Sequence, residues 1–406
     1  MIDARLDRVI PSPSIPAAVP SRTAEYTGVI GSDRIERFLL SPALMTSIVL
    51  LGAALRVWAY ASNTSLYLDE ILLTRNILDL PVSHLLTQPL LLDQVSPRGF
   101  LLVERLAVVI FGQGELALRL FPFVCAVVSV ILFRRLAERT LTGAGPALSL
   151  LLFAIGVPFI RFGADVKPYE VDVAAAIGLL LLALDMQERE ASTKRLLLWG
   201  IVGFVLVWFS QASVLMMAGL GFGRRTTRAL AITIPLWAAG CVVALLVGLR
   251  SMTPATRQFM HDFWAGGFLP LPLRLPAAFR WLWDRWTSLF SDPTLLRYSW
   301  PEIFVVVALV GVVALWSRRR PVALLLLGPF VVCLAAAIAH QYPFRGRLVV
   351  WLLPSLLLAV AAGAEWMRRQ ISRLHPAFGW ASVIVLLVPS VRALAAAPPP
   401  YESPWQ

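Results

Sequence analysis

The chain has 406 residues, of which 58% are hydrophobic and 15% charged, with a net charge of +12 and a mean hydropathy of +0.74. A soluble domain averages about 45–50% apolar and about 25% charged residues, so composition excludes an ordinary soluble fold. It also excludes nucleic acid as the reason for the basic balance, because the cations cluster in short loops between apolar runs. The three cysteines, Cys125, Cys241 and Cys333, lie inside those runs as small apolar residues and form no disulfide framework or metal motif.

Residues 1–38 lack an apolar signal core and read as a cytoplasmic tail. Apolar runs then fall at 39–61, 117–136, 144–162, 169–186, 195–209, 211–223, 229–250, 302–317, 321–340, 348–366 and 377–394. They predict an all-α polytopic membrane protein, with about eleven transmembrane helices over 39–394 and a short outer tail at 395–406. Every even-numbered run ends in a triple-cation cluster: Arg134, Arg135 and Arg139; Arg189, Lys194 and Arg195; Arg224, Arg225 and Arg228; Arg318, Arg319 and Arg320; Arg368, Arg369 and Arg373. The positive-inside rule puts those clusters and the N-terminus in the cytoplasm. Two segments set the parity. Residues 195–223 are taken as a hairpin broken near Ser210-Gln211, and 99–111, which carries Glu104 and Arg105, as an amphipathic helix lying on the outer surface. Two large outer loops result, 62–116 and 250–301, with shorter outer segments at 163–168 and 340–347.

Chemistry-bearing residues concentrate on that outer face. Asp69-Glu70 follows the first span; an adjacent acidic pair at a membrane surface is costly and needs a reason. One carboxylate can take the proton of an attacking hydroxyl, and the other can orient that hydroxyl or hold a metal. The alternative is a pair that only caps the helix starting near Ile71. Asp165, Lys167, Glu170 and Asp172 are packed into eight residues around Pro168, and Lys167 is one of only two lysines in the chain. An ammonium at an outward-facing helix N-terminus suits a phosphate, although interfacial snorkelling with Tyr169 in the aromatic belt explains it too. Arg345 and Arg347, in the segment His340–Arg347, run against the positive-inside trend and suit a lipid phosphate or an ordinary headgroup. The loop 250–301, with His261–Trp264 and Trp281–Trp286, offers aromatic rings for a sugar or isoprenoid groove and equally for an interfacial helix. The four histidines show no metal-ligand spacing, and P-loop, Rossmann and hydrolase-elbow motifs are absent. A lipid-linked donor fits this pattern better than a nucleotide sugar.

Taken in order, these strings resemble the GT-C glycosyltransferases, specifically the bacterial family-39-like group related to protein O-mannosyltransferases and the lipid A aminoarabinose transferase. The resemblance runs through most of 39–366. It is carried by the acidic pair Asp69-Glu70, by Ser96-Pro97-Arg98-Gly99 through Phe111-Gly112, by Gly114-Glu115 through Arg119-Leu120, by Lys167-Pro168-Tyr169 where the family has Arg-Pro-Tyr, and by Tyr342 through Arg347. It implies a GT-C fold with amphipathic surface helices in the first outer loop. It implies a polyprenyl-phosphate sugar donor, inversion at the anomeric carbon, and a glycan, lipid or protein acceptor on the periplasmic side of a bacterial inner membrane. Asp69 would be the base or would position the acceptor, with Glu70 beside it. Lys167, Arg345 and Arg347 would hold the donor phosphate, and Asp165, Tyr169, Tyr342 and Arg98 would support them. Lys167 can act as a point charge but gives up the bidentate geometry of arginine. Some relatives use a divalent metal near these carboxylates, for which Asp69, Glu70 and Asp165 are the candidate ligands here. The rival readings are a lipid-linked saccharide flippase, which places polar residues along the middle of its spans, and a non-catalytic subunit that binds isoprenoid phosphate.

Overall fold

The computed structural model describes residues 30–39, 41–188, 192–220, 227–250 and 252–397. Most of the two expected tails, together with Arg189, Arg224 and Arg225, lies outside the described residues. The helices, in chain order, are α1 (Ile30–Leu39), α2 (Pro42–Ala61), α3 (Leu68–Asp79), α4 (Val82–Thr87), α5 (Arg98–Phe111), α6 (Glu115–Thr140), α7 (Gly145–Ala154), α8 (Val157–Arg161), α9 (Tyr169–Glu188), α10 (Thr193–Leu206), α11 (Ala212–Leu220), α12 (Thr227–Arg250), α13 (Pro254–Phe263), α14 (Leu275–Ser291), α15 (Pro301–Ile338), α16 (Leu353–Ile371) and α17 (Pro376–Ala396). Short 3-10 turns lie at Phe162–Ala164, Ala265–Gly267 and Gly346–Leu352, and no strand occurs among the described residues. Local chemistry sets many of the starts. Ser41, Ser192 and Thr253 accept a first-turn N–H, and proline stands in the first turn of α2, α13, α14, α15, α16 and α17, where its missing N–H costs nothing.

Among the described residues, six helices are long and apolar enough to cross a membrane. They are α2, α6, α12 over Ala231–Gly248, α15, α16 with its preceding turn (Gly346–Ile371), and α17; α7 and α8 together make a seventh, bent by 51°. By length and composition these six, or seven with the bent pair, stand where the hydropathy runs led to an expectation of about eleven. The runs at 302–317 and 321–340 are the two halves of α15, which are joined across Arg319. The run at 169–186 is α9, which is 20 residues long but carries Glu170, Asp172, Asp185 and Glu188. The runs at 195–209 and 211–223 are α10 and, as far as the described residues reach, α11, with the expected break near Ser210-Gln211 between them.

Unbroken, α15 would run about 57 Å, nearly twice the apolar thickness of a bilayer. It breaks at Arg319, whose φ of −146° and ψ of 64° are not helical. Phe304 in its first half packs on Phe290 at 5.5 Å, and Phe330 in its second half packs on Trp286 at 5.4 Å. Both halves thus return to α14, so the element folds back on itself. The first half crosses α16 where Gly311 meets Gly363, and a Cβ on either would strike the backbone of the other helix.

The bend between α7 and α8 falls at Gly156-Val157-Pro158 and strands backbone carbonyls inside the apolar core. Arg56 of α2, fully buried, answers them: Nη1 donates to Ala154 O at 3.2 Å and to Gly52 O at 2.9 Å, and Nη2 donates to Phe153 O at 3.4 Å.

The cation clusters gather at one end of the bundle. Arg139 at the end of α6 pairs with Asp185 (2.7 Å) and Glu188 (2.9 Å) at the end of α9, and Arg319 donates to the Arg139 carbonyl at 2.6 Å. Arg368 pairs there with Glu36 and with Glu365. The opposite ends of α6 and α9, and the start of the Gly346–Leu352 turn, carry Arg119, Tyr169 and Arg347. On that side α3, α4 and α5 are seated by a small apolar core of Leu73, Ile77, Leu85, Phe100, Leu101 and Val108, which meets Leu118 of α6 and Val171 of α9. The outward side of α5 shows Leu106, Val109, Ile110 and Phe111. At 14 residues it is too short to cross and has the form of the expected surface helix. The break between α10 and α11 lies at this same end, since Trp208 O accepts from Gly99 N–H of α5 at 2.7 Å.

Candidate active site

Asp69 and Glu70 occupy the first turn of α3, where carboxylates are favoured by the helix dipole. Successive helical residues point about 100° apart, and the pair divides accordingly. Glu70 turns inward and is 1% exposed. It accepts from Tyr67 N–H at 3.2 Å and from Val166 N–H at 2.7 Å, and it pairs with Arg119 at 3.3 Å. Arg119 also donates to Thr64 O at 2.5 Å. All of this ties the chain before α3 to α6 and to the loop before α9. Glu70 thus caps α3 from a buried position, whereas the capping alternative took the acidic pair as a solvated one.

Asp69 turns toward the opening between loops. Lys167 Nζ donates to its Oδ1 at 2.9 Å, and Arg347 Nη2 lies 2.7 Å from its Oδ2. Lys167 makes a further bond to Gln94 Oε1 at 3.0 Å. The Arg347 guanidinium lies over the rings of Tyr169 (5.5 Å) and Trp264 (5.8 Å). Of these three side chains Asp69 is the most open, at 27% exposure against 7% for Lys167 and 18% for Arg347. Burial pushes the Asp69 carboxyl up, but Lys167 and Arg347 outweigh it and hold the group below the ordinary aspartate range. Burial pulls the Lys167 ammonium below the usual lysine value, against the pull of Asp69.

Asp165 sits one residue before Val166, with Arg161 Nε 3.9 Å from its Oδ2. Burial and the nearby Glu70 push its carboxyl up, against Arg161, Arg119 and Arg347. Tyr169 is buried against Phe162 and Arg347. Tyr342 spends its hydroxyl on Leu348 O at 2.6 Å.

Two of the expected residues lie apart. Arg98 is buried and donates to Leu85 O (2.6 Å) and Gln88 O (2.7 Å), bracing α4 against α5. Arg345 is exposed and turns toward Gly266, where a Cβ would come within 2.6 Å of its Nη1. Burial, helped by that neighbouring cation, holds Arg285 of α14 below its ordinary value. Gly346, at φ +52°, makes the left-handed turn that sends Arg345 and Arg347 to different neighbours.

Sequence reasoning assigned no site role to Arg119, Gln94 or Tyr67, and offered Trp264 only as a ring for a sugar or isoprenoid groove or an interfacial helix. Arg119 carried a signal, as a cation within an apolar helix; Gln94 carried none. Two of the three carboxylates named as possible metal ligands are otherwise engaged. Lys167 and Arg347 sit on Asp69, and Arg119 with two backbone N–H groups holds Glu70. No group of three or more His, Cys, Asp or Glu side chains among the described residues is placed to hold a metal. The donor set among the described residues does not fit a metal.

No family model matches the chain, and no curated protein matches it. Solved structures do. The oligosaccharyltransferase of Archaeoglobus fulgidus in complex with Zn and sulfate superposes with a TM-score of 0.54 at 12% identity, covering 87% of this chain and 52% of that one. Its apo form gives 0.53 at 12% identity, covering 89% and 56%. The chain thus spans about half the length of the structures it matches. Over the described residues its helical architecture shares the fold of these oligosaccharyltransferase structures.

Proposed function

We propose that the chain is an integral-membrane glycosyltransferase that moves a sugar from a polyprenyl-phosphate carrier to an acceptor hydroxyl, with inversion at the anomeric carbon. The observation that carries this reading is the convergence of Lys167 and Arg347 on Asp69 at the mouth of the site. Two cations sharing one carboxylate make a place where an oxyanion competes for the same charges. The Archaeoglobus enzyme was solved with sulfate, a tetrahedral oxyanion of the same shape as the proposed phosphate.

In this reading the donor phosphate takes the Lys167 and Arg347 charges and releases Asp69. The freed carboxylate accepts the proton of the acceptor hydroxyl as its oxygen attacks the anomeric carbon. The bond from that carbon to the phosphate oxygen breaks, and its electron pair leaves with the polyprenyl phosphate, whose charge the two cations hold. Glu70 acts as the structural partner that orients α3. The acceptor is a glycan, lipid or protein on the periplasmic side of a bacterial inner membrane. Arg56, the one cation within α2, donates to carbonyls of Gly52, Phe153 and Ala154, a bracing role that fits an enzyme scaffold.

The test is Asp69→Asn in protein that expresses and folds normally. Transfer from an undecaprenyl-phosphate sugar falls by about a hundredfold or more. Transfer near the wild-type rate removes Asp69 from the role of base. Retained lipid-phosphate binding with no transfer by either protein points to the non-catalytic subunit.

A further inference from the structure

Two polar side chains beside Asp69 each carry an atom that makes no hydrogen bond. The Tyr67 hydroxyl and Asp165 Oδ2 are both shielded from solvent, and neither has a hydrogen-bond partner among the described residues. Each residue is 8% exposed. Buried polar atoms without partners are rare, and they are kept where something other than the resting protein completes them.

Glu70 holds the two together. Its one carboxylate accepts from the N–H of Tyr67 and from the N–H of Val166, the residue after Asp165. The phenol and the Asp165 carboxyl are thereby brought to the same side of α3. The charged and titratable groups acting on the phenol are Asp165, Arg347, Tyr169 and Asp69. Burial above all, and Asp165 next, push the phenol well above its ordinary range, so it stays a donor at any working pH. Arg161, at 3.9 Å, is too far to satisfy Oδ2 by a hydrogen bond.

An O–H donor beside a carboxylate acceptor matches a ligand that both accepts and donates. A phosphate only accepts, and Asp165 repels it. Lys167 and Arg347, on the Asp69 side, attract it. Neighbouring hydroxyls on a sugar ring satisfy both groups.

We propose that Tyr67 and Asp165 form a sugar-hydroxyl subsite beside Asp69, in which the phenol donates to the bound sugar and the carboxylate accepts from it. The inference rests on the glycosyltransferase reading and assigns where the ring, as opposed to the phosphate, is held. The sugar is that of the lipid-linked donor or that of a saccharide acceptor; both present the same hydroxyls.

Tyr67→Phe removes only the hydroxyl and keeps the buried ring. With the full chain in detergent or nanodiscs, dissociation constants are measured for undecaprenyl phosphate and for undecaprenyl-phosphate pentose and hexose. If the subsite holds the donor sugar, the wild type binds one of the glycosides about tenfold or more tightly than the bare lipid phosphate. Tyr67→Phe and Asp165→Asn then lose that increment and keep the affinity for the bare lipid. If it holds the acceptor, the increment is unchanged, and Tyr67→Phe raises the acceptor KM by about tenfold with the donor KM unaltered. Wild-type values for both quantities in Tyr67→Phe overturn the subsite while leaving the glycosyltransferase reading in place. Failure of the wild type to bind either the bare lipid or the glycosides overturns that reading first, and the subsite with it.

Discussion

Lys167 and Asp69 are separated by 98 residues, yet the ammonium meets the carboxylate at 2.9 Å. One lies in the loop before α9 and the other in the first turn of α3. The contact joins the loop-bound part of the site to the helical bundle, and Arg347 closes it from a third segment. Its consequences can be measured in both stability and pH dependence.

Asp69→Asn leaves two cations facing a neutral amide. We expect a loss of about 1–3 kcal/mol near neutral pH. Lys167 and Arg347 depress the folded-state pKa of Asp69, so its contribution is present above the unfolded value of about 3.9. That contribution is lost as pH falls through the lower folded value. Thermal unfolding from pH 7 downward shows the gap between wild type and variant closing below about pH 4. A gap that stays constant contradicts the ion-paired state of Asp69.

Glu70→Gln keeps the shape of the cap but strands the Arg119 charge, which is 2% exposed. Breaking a buried pair by removing one partner costs about 3–5 kcal/mol. The variant is expected to lose several degrees in Tm, with the double change Glu70→Leu, Arg119→Met recovering part of the loss. Full stability combined with loss of transfer would instead return Glu70 to the chemistry.

Glu104, on the inward face of α5, is fully buried, and neither carboxyl oxygen has a hydrogen-bond partner among the described residues. Burial pushes its pKa well above the ordinary glutamate value. The folded state therefore keeps this proton to higher pH than the unfolded chain does. Stability falls as pH rises from the unfolded value of about 4.3 toward the folded one. Glu104→Met is expected to stabilise the protein by about 1–3 kcal/mol at pH 7, with a smaller gain at pH 4. Chemical unfolding at the two pH values checks both the sign and the trend.

Gly363→Ala places a methyl group against the backbone of the first half of α15 at Val307. Neither helix can move away cheaply, because α15 and α16 form the centre of the larger apolar core. We expect a loss of about 2 kcal/mol or more, or failure to accumulate in the membrane. Gly114→Ala, where a Cβ meets nothing within 4 Å, is the control and leaves expression unchanged.

Much of the site was legible because the residue types are costly where they stand. A lysine in an arginine-rich chain, an acidic pair after a span and two arginines before α16 are each expensive in an apolar setting, and Asp69, Lys167 and Arg347 do meet. The separation of Asp69 from Glu70 was not legible. Adjacent letters in a sequence share a neighbourhood, but on a helix they face different surroundings, one the opening and the other Arg119. Arg345 and Arg347 diverge in the same way, through the left-handed turn at Gly346.

The sequence by itself determined that the chain is a helical membrane protein with its cations toward one end and its reactive groups toward the other. The reason is that hydropathy and charge act locally, residue by residue, against lipid and water. Tertiary structure alone decided how the break between α10 and α11 is seated, with its Trp208 carbonyl taken by α5. It also decided which cations hold Asp69 and which polar atoms are left without partners. Those outcomes depend on distances across loops and helices far apart in the chain, and no local property encodes them.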